Sequence, residues 1–232
     1  MNLKIPTLLS SLTIHSLIFV PAASAATIID NLYVEAGRAT STNGSTGTGT
    51  TFGSAGIDTG YFTGGGTDSH AVFIFQMTAT SDGANIEGSN FTVSQTLYGP
   101  APTGFVGDLH VVRTSSSASP QNSDYETSAL LVKANFTGTT AAALSLDTAA
   151  QDTLTTWLQT NWVADDYIFF SIQTDPINPA KQGSDNNVGF RYGNNNNGGS
   201  SDSVFSVTVP EPSGAAIVGL GGMLMLAGRR RH

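Results

Sequence analysis

A series of short apolar segments, separated by turn-forming residues, constrains the fold of this chain more than any other feature. Segment 71–77 is apolar on both faces, as in a central strand. Phe91, Val93 and Leu97 alternate with polar residues at the period of two that a half-buried strand shows. The pattern predicts a mainly β protein, an antiparallel β-sandwich of the jelly-roll type. Its predicted strands lie at 71–77, 91–98, 107–113, 128–136, 166–174, 187–193 and 203–209.

One helix is predicted within the strand series. Leu154, Trp157 and Leu158 recur at the i, i+3, i+4 spacing of a single helix face, and Thr148–Gln151 has the pattern of a capping box. We expect this apolar face, Trp157 included, to pack against one edge of the sheet. Stacking of a ligand on Trp157 is the less favoured alternative.

The segment that precedes the strand series is poor in large apolar residues. A short strand is predicted within residues 27–36, but residues 36–66 are dense in Gly, Thr and Ser. Because such small residues bury little surface, long loops or partial disorder are expected there. The sequence therefore divides into an N-terminal region at 26–66 and a sandwich core at 67–209.

Composition excludes several classes of function. The chain has no cysteine, which excludes disulfides, thiolate metal sites and thiol nucleophiles. Its net charge is −8, and four of its nine basic residues, Lys4 and Arg229–Arg231, lie in the two end segments. The part between them is therefore more acidic still. Such a surface repels nucleic acid and anionic lipid, so no nucleic-acid partner is expected.

The N-terminus has the three parts of a secretory signal peptide. Lys4 supplies positive charge, residues 5–20 form an apolar stretch, and small residues follow it. Ala23 and Ala25 occupy the small positions of the cleavage pattern, which predicts cleavage between Ala25 and Ala26. We therefore expect export of the chain with its signal helix, residues 1–25, removed.

The C-terminus combines a Pro-Glu-Pro peptide, an uncharged apolar segment and an arginine cluster. Residues 213–228 would form a transmembrane helix of about 24 Å, somewhat short of the roughly 30 Å of a bilayer core. By the positive-inside rule, Arg229, Arg230 and Arg231 would stay in the cytoplasm and stop translocation. Pro210 and Pro212 lack backbone N–H groups, which favours an extended peptide that a protease can reach.

These ordered features closely resemble the PEP-CTERM protein-sorting signal. The resemblance assigns residues 210–232 to a sorting signal and implies a Gram-negative bacterium that makes exopolysaccharide. It also implies that a membrane-embedded exosortase cuts near the motif and releases the inner-membrane-tethered precursor or transfers it to the cell surface. The residues that match the motif are Val209, Pro210, Glu211, Pro212 and Ser213.

The middle of the chain has a second, weaker resemblance. Residues 27–209 are similar to the carbohydrate-binding-module-like jelly rolls of bacterial surface proteins, including DNRLRE-type domains, but carry no diagnostic short motif. Sugar sites combine an exposed aromatic ring with amide, carboxylate or guanidinium groups. The candidates for glycan contact are Tyr98, Trp162, Arg191 and Tyr192, each of which packing or cross-strand pairing also explains.

Catalytic patterns are scarce. The sequence has no H-E-x-x-H, G-x-S-x-G or P-loop motif. Asp108 and His110 would share one face of a strand, and an ordinary exposed polar pair is the favoured interpretation. His70 has no sequence neighbour that indicates a role. The adjacent Asp165 and Asp166 are better explained by helix capping, a turn or the start of a strand than by glycoside hydrolysis. No catalytic residue is predicted.

No cofactor is predicted. The Asp- and Asn-rich stretches 185–187 and 194–197 offer oxygen atoms that a structural Ca²⁺ would accept, but no EF-hand spacing is present. Asn clusters are also ordinary turn chemistry, which is the favoured interpretation.

The favoured function is that of an exported, non-enzymatic surface or extracellular-matrix protein, associated with exopolysaccharide or biofilm. Its expected partners are signal peptidase and exosortase during processing and the inner membrane in transit. A carbohydrate-binding module on the same fold is the alternative, and a secreted glycan-active enzyme is the least favoured hypothesis.

Overall fold

The apolar segments of the sequence form an antiparallel sheet. The computed structural model of the protein describes residues 26–41, 46–52, 57–62, 67–78, 83–98, 107–125, 128–137, 142–174, 188–192 and 203–210. All of these residues belong to one compact unit, Ala26–Glu211. The predicted signal helix and C-terminal transmembrane helix lie outside the described residues.

In the part of the chain that the structure describes, there are twelve strands, one α-helix and two short 3₁₀ turns. The strands are β1 (Ala26–Asp30), β2 (Leu32–Ser41), β3 (Gly49–Phe52), β4 (Ile57–Phe62), β5 (Thr67–Gln76), β6 (Gly88–Tyr98), β7 (Gly107–Ser115), β8 (Leu130–Lys133), β9 (Ala142–Ser145), β10 (Tyr167–Thr174), β11 (Val188–Tyr192) and β12 (Val204–Pro210). Helix α1 is Thr148–Asn161, and the 3₁₀ turns are Gly83–Asn85 and Asn122–Tyr125.

The pairing of the strands produces an open, curled antiparallel sheet. Its main path runs β1-β12-β6-β11-β4-β5-β10-β7-β8, while β2 pairs with β5 and β3, and β9 pairs with β6. Strand β5 changes partners along its length: residues 67–69 pair with β4 and residues 71–76 pair with β10. This change of partner lets the sheet turn back on itself. The prediction of a mainly β fold with one helix is confirmed.

Aromatic rings fill the inside of the curl. Phe91 of β6 stacks on Phe170 of β10 with ring centroids 4.9 Å apart. Phe205 of β12 meets Phe75 of β5 edge to face at 5.8 Å. Neither pair joins neighbouring strands, so the two halves of the sheet face each other across one core. All four rings are fully buried, and such pairs add about 0.5–1.5 kcal/mol each beyond the area they bury.

Helix α1 packs on this core with the predicted face. Leu154 and Leu158 are fully buried in the same apolar cluster as the aromatic rings, and Trp157 packs against it while partly buried. The apolar stripe at i, i+3 and i+4 is therefore confirmed.

The helix begins one residue away from the predicted cap. Asp147, not Thr148, is the N-cap: its backbone is extended, and its carboxylate accepts a 3.0 Å hydrogen bond from the Ala150 N–H. The predicted capping box was wrong because the Gln151 amide donates to the Leu146 carbonyl oxygen, not to the cap. Lys133 of β8 lies 2.8 Å from the Asp147 carboxylate.

The expectation of long loops in residues 36–66 was wrong for three stretches. Strand β2 continues to Ser41, and β3 and β4 lie within the same Gly/Thr-rich region. Strands of small residues form here because hydrogen bonds between backbone groups hold them to their neighbours, without large buried side chains. A Cβ added at Gly37 would lie 2.3 Å from the Thr51 carbonyl oxygen, so only glycine permits this approach of β3. Since β2 and β4 both pair with β5, the strands of the predicted N-terminal region belong to the same sheet as those of the predicted core.

The opposite face of the sheet carries a smaller apolar cluster. Val72 and Ile74 of β5 and Phe169 of β10 are fully buried there. Tyr125, from the second 3₁₀ turn, and Phe52 of β3 pack against them. Strand β5 is thus buried on both faces, as predicted for a central strand.

Candidate functional site

The predicted sorting motif begins inside the folded sheet. Val209 and Pro210 are the last two residues of β12 and lie opposite Thr27 and Ala26 of β1. Pro210 has no N–H to donate, so a strand ladder ends naturally at this residue. The other predicted motif and stop residues lie outside the described residues, namely Glu211, Pro212, Ser213, Arg229, Arg230 and Arg231.

Strand β12 is held on two sides until just before the motif. Residues Val204 to Thr208 pair with β6, and the Glu87 N–H donates to the Thr208 carbonyl oxygen at 2.8 Å. Among the described strands, Val209 and Pro210 pair with β1 alone. Within the described sheet, β12 therefore has two paired neighbours up to Thr208 and one where the motif begins.

The other predicted processing point lies beside this strand end. Ala26 is exposed and is the first residue of β1, and cleavage is predicted immediately before it. Residues opposite each other in an antiparallel ladder have Cα atoms about 4.5–5.5 Å apart. The described residues next to the two predicted cleavage regions, Ala26 and Pro210, thus lie at adjacent strand ends. Ala23 and Ala25 lie outside the described residues.

Asn31 fixes this pair of strands to the opposite half of the sheet. It lies between β1 and β2 and is buried. Its backbone N–H donates to the Phe205 carbonyl oxygen of β12 at 2.9 Å. Its side-chain oxygen accepts from the Thr78 N–H, just after β5, at 3.1 Å. One residue thus joins β12 to the end of β5, a role that no local sequence pattern indicates.

The four candidates for glycan contact do not form one exposed platform. Tyr192 is only 2 % exposed and meets Phe73 edge to face, so its ring belongs to the core; this burial also raises its pKa. Trp162 is half-buried, with its ring 6.5 Å from that of Phe205. Arg191 donates from Nε to Asp58 Oδ1 at 2.9 Å. Tyr98 ends β6 opposite Gly189, and its side chain is not among those described.

Asp108 and His110 have separate structural partners. Asp108 Oδ1 accepts from the Asn135 N–H at 2.7 Å, in a turn where Asn135 has a left-handed φ of 52°. His110 Nδ1 lies 2.6 Å from Ser128 Oγ, and burial lowers the pKa of this imidazole while Asp108 opposes that shift. The structure thus gives each of these two side chains a hydrogen-bond partner of its own.

Asp165 and Asp166 lie in the connection between α1 and β10, so a turn is the explanation among the three expected that the structure bears out for Asp165. Asp165 has a left-handed φ of 68°, and its N–H donates to the Met77 carbonyl oxygen at 2.8 Å. The Met77 N–H in turn donates to the Asp166 carbonyl oxygen at 2.8 Å. The two residues connect α1 to β10 and hold the end of β5.

A buried polar cluster that the sequence did not reveal surrounds His70. The Tyr125 hydroxyl donates to Asp68 Oδ2, and the rings of His70 and Tyr125 stack with centroids 4.1 Å apart. His70 Nδ1 lies 3.0 Å from the Tyr125 carbonyl oxygen, an acceptor, so this nitrogen carries the proton. His70 Nε2 then faces Asp68 Oδ2 at 3.7 Å. Tyr125 is 55 residues from His70, beyond the reach of any local pattern.

Burial reverses the usual ionisation order in this cluster. Desolvation raises the pKa of Asp68 to about 6, although the hydrogen bond from Tyr125 opposes the shift. Desolvation also lowers the pKa of His70 to about 4. Near pH 5 the proton therefore resides on the carboxyl group and the imidazole is neutral, because a low-dielectric site disfavours both charges.

Neither a metal site nor a membrane span occurs in the described ranges. Within these ranges, no three His, Asp or Glu side chains form a group that could hold a metal ion. Stretches 185–187 and 194–197, considered for Ca²⁺, lie outside them. In the same ranges no helix combines the length and apolarity needed to cross a bilayer. Comparison with protein-family models, curated proteins and solved structures finds no match for this chain.

Proposed function

We propose that this chain is an exported, non-enzymatic surface or extracellular-matrix protein that is processed through a C-terminal PEP-CTERM sorting signal. A signal peptidase removes residues 1–25, and an exosortase cuts near Pro212 while the C-terminal helix holds the precursor in the inner membrane. The product reaches the cell surface or the exopolysaccharide layer.

The pairing of Ala26 with Pro210 is the observation that carries this proposal. The described sheet starts at the first residue after the predicted signal cleavage and ends at the first proline of the predicted motif. The described sheet therefore includes no residue of the two segments that processing would remove. An accidental Pro-Glu-Pro peptide need not begin at the end of the last described strand.

The fold proposed for the mature protein is a jelly-roll-like β-sandwich. The contacts of Phe91 with Phe170 and of Phe205 with Phe75 support two facing layers. The change of partner along β5 supplies the corner through which one layer continues into the other. Such a scaffold needs no catalytic residue to present a surface in a matrix.

Intact-mass analysis of the protein from its native host tests the proposal. The expected mass is that of a chain beginning at Ala26 and ending close to Pro212, with any attached group added. Retention of His232 in the surface-exposed protein would contradict the sorting signal but leave export standing.

The Glu211→Ala variant tests the motif itself. Because Glu211 supplies the only charge of the Pro-Glu-Pro peptide, its loss should make the uncut precursor accumulate in the membrane fraction. Deletion of the host exosortase should have the same effect. Glu87→Ala is the matched control, because it also removes one glutamate, and Glu87 is exposed and lies outside the motif. Equal processing of both variants and of the parent would argue against recognition of the motif.

A further inference from the structure

An open groove of about 600 Å³ lies between α1 and β8. Small-molecule sites usually have volumes of roughly 300–1,000 Å³ and combine apolar walls with a few polar groups. One wall is the exposed side of α1 and the other comes from β8. The lining residues are Leu130, Asp152, Thr153, Thr156, Trp157 and Thr160.

Trp157 provides a flat apolar surface in this groove. Its side chain is partly buried and packs against the main core, so the ring is supported from behind. Leu130 is the lining residue from β8 and extends the apolar area. Of the two tryptophans in the sequence, only Trp157 lines the groove, since Trp162 packs toward Phe205.

The hydroxyl groups of the groove are arranged to accept hydrogen bonds. Thr153 and Thr156 donate their hydroxyl protons to the carbonyl oxygens one turn earlier in α1, at 2.9 and 2.8 Å. Thr160 donates to the carbonyl oxygens of Thr156 and Trp157 at 3.3 and 3.2 Å. With these protons engaged, the three oxygens present lone pairs to the groove.

The charge of the groove is negative. Asp152 is its only charged lining residue, and its carboxylate makes no hydrogen bond or ion pair with the described side chains. The nearby cation of β8, Lys133, is paired with Asp147 instead. The lining therefore holds acceptors and one negative charge, and it lacks a group that would bind an anion.

We propose that this groove binds an uncharged, hydroxyl-rich saccharide, with one sugar ring against Trp157 and its hydroxyl groups donating to Asp152 and the threonines. The apolar face of a sugar ring matches the indole, and its hydroxyls match a row of acceptors. Uronate-containing or sulfated saccharides are disfavoured by Asp152. The proposal goes beyond the sorting function and holds whether or not the tail is cut.

Titration of the full-length chain with defined oligosaccharides tests the proposal. The protein is kept in a detergent without a sugar headgroup, and neutral hexasaccharides (β-glucan, α-glucan, xylan and N-acetylglucosamine types) are compared with oligogalacturonate by calorimetry. At least one neutral saccharide should bind, and oligogalacturonate should bind at least about tenfold more weakly. In the Trp162→Phe variant the remaining indole, that of Trp157, should change its fluorescence on binding.

Variants of the lining distinguish this groove from any other site. Trp157→Ala should raise the dissociation constant by about tenfold or more, and Thr156→Val, which preserves shape, by about two- to tenfold. Asp152→Asn should reduce the discrimination against oligogalacturonate. Trp162→Phe is the matched aromatic control and should leave the affinity unchanged. Thr156→Val keeps the test valid if loss of the indole impairs folding.

Three results would overturn the proposal. The first is that no neutral saccharide of the panel binds. The second is binding that the Trp157 and Thr156 variants leave unchanged. The third is tighter binding of a lysine-rich peptide than of any saccharide, because a row of acceptors with one carboxylate also suits cations.

Discussion

Ala26 and Pro210 lie opposite each other in the antiparallel ladder between β1 and β12. Strand β1 is at one end of the sheet path, and most of its side chains are exposed. The first residue of β1 and the last residue of β12 therefore lie side by side at one edge of the described sheet.

A disulfide between neighbouring strand ends tests this arrangement. Ile28 lies opposite Thr208, and the chain has no cysteine of its own. The double variant Ile28→Cys, Thr208→Cys should form a disulfide when the purified protein is oxidised, since opposite residues fall within the Cα range of a disulfide. Non-reducing peptide mapping measures the yield. Ile28→Cys with Ser206→Cys, two residues further along the same face, is the control and should cross-link far less.

Removal of the Asn31 side chain should loosen the join between the two halves of the sheet. Asn31→Leu leaves the Thr78 N–H without its side-chain acceptor and should lower the free energy of unfolding by about 1–3 kcal/mol. Asn31→Asp, compared at about pH 4 where burial keeps its carboxyl group protonated, retains both an acceptor for the Thr78 N–H and a donor for the Phe205 carbonyl oxygen, and should cost less. Urea unfolding followed by tryptophan fluorescence compares them; equal losses in both variants would mean that the hydrogen bond to Thr78 is not the cause.

The ion pair of Arg113 with Asp124 should be essential for the stability of the fold, because the Asp124 carboxylate is fully buried. The guanidinium donates from Nε at 2.6 Å and from Nη2 at 3.1 Å, and it lies 3.6 Å above the Phe169 ring. Arg113→Met should destabilise the fold by about 3–5 kcal/mol, since it leaves a buried charge unpaired. Addition of Asp124→Asn should recover part of that loss in thermal unfolding. A double variant as unstable as the single one would contradict this explanation.

The strands with strong local patterns could be predicted from sequence. In 91–98 and 107–113 the apolar residues Phe91, Val93, Leu109 and Val111 are buried as expected, because alternation reports which side faces the core. Strands β3 and β4 were missed because Gly and Thr carry no such alternation. One strand was expected within 27–36, where the structure has two separated by Asn31. The break depends on Phe205 and Thr78, which are distant in sequence.

The candidate sites were less predictable than the fold. The match to the sorting motif is local and readable from sequence, and it stays a prediction. In contrast, Tyr192 belongs to the core because its ring packs against Phe73. The residue pattern of one strand does not show such a contact with another strand. The groove beside Trp157 requires α1 and β8 to come together, and their proximity depends on the whole strand order.

Asp68 and His70 should give opposite pH dependences of stability that nearly cancel. The folded-state pKa of Asp68 is raised from 3.8 to about 6, so its stabilisation is present below about pH 4 and is lost as pH rises to 6. The folded-state pKa of His70 is lowered from 6.5 to about 4, so its stabilisation is present above pH 6.5 and is lost as pH falls to 4. Each change amounts to about 3 kcal/mol.

Single variants should separate the two contributions. Asp68→Asn imitates the protonated carboxyl and leaves the His70 contribution, so relative to the parent its stability should rise between pH 4 and 6. His70→Gln leaves the Asp68 contribution, so its stability should fall over the same interval. Urea unfolding of the parent and both variants at pH 4, 5 and 6 measures the differences, in which contributions from all other groups cancel. Parallel curves for the three proteins would contradict both shifts, because they would mean that neither Asp68 nor His70 binds protons differently in the folded and unfolded states.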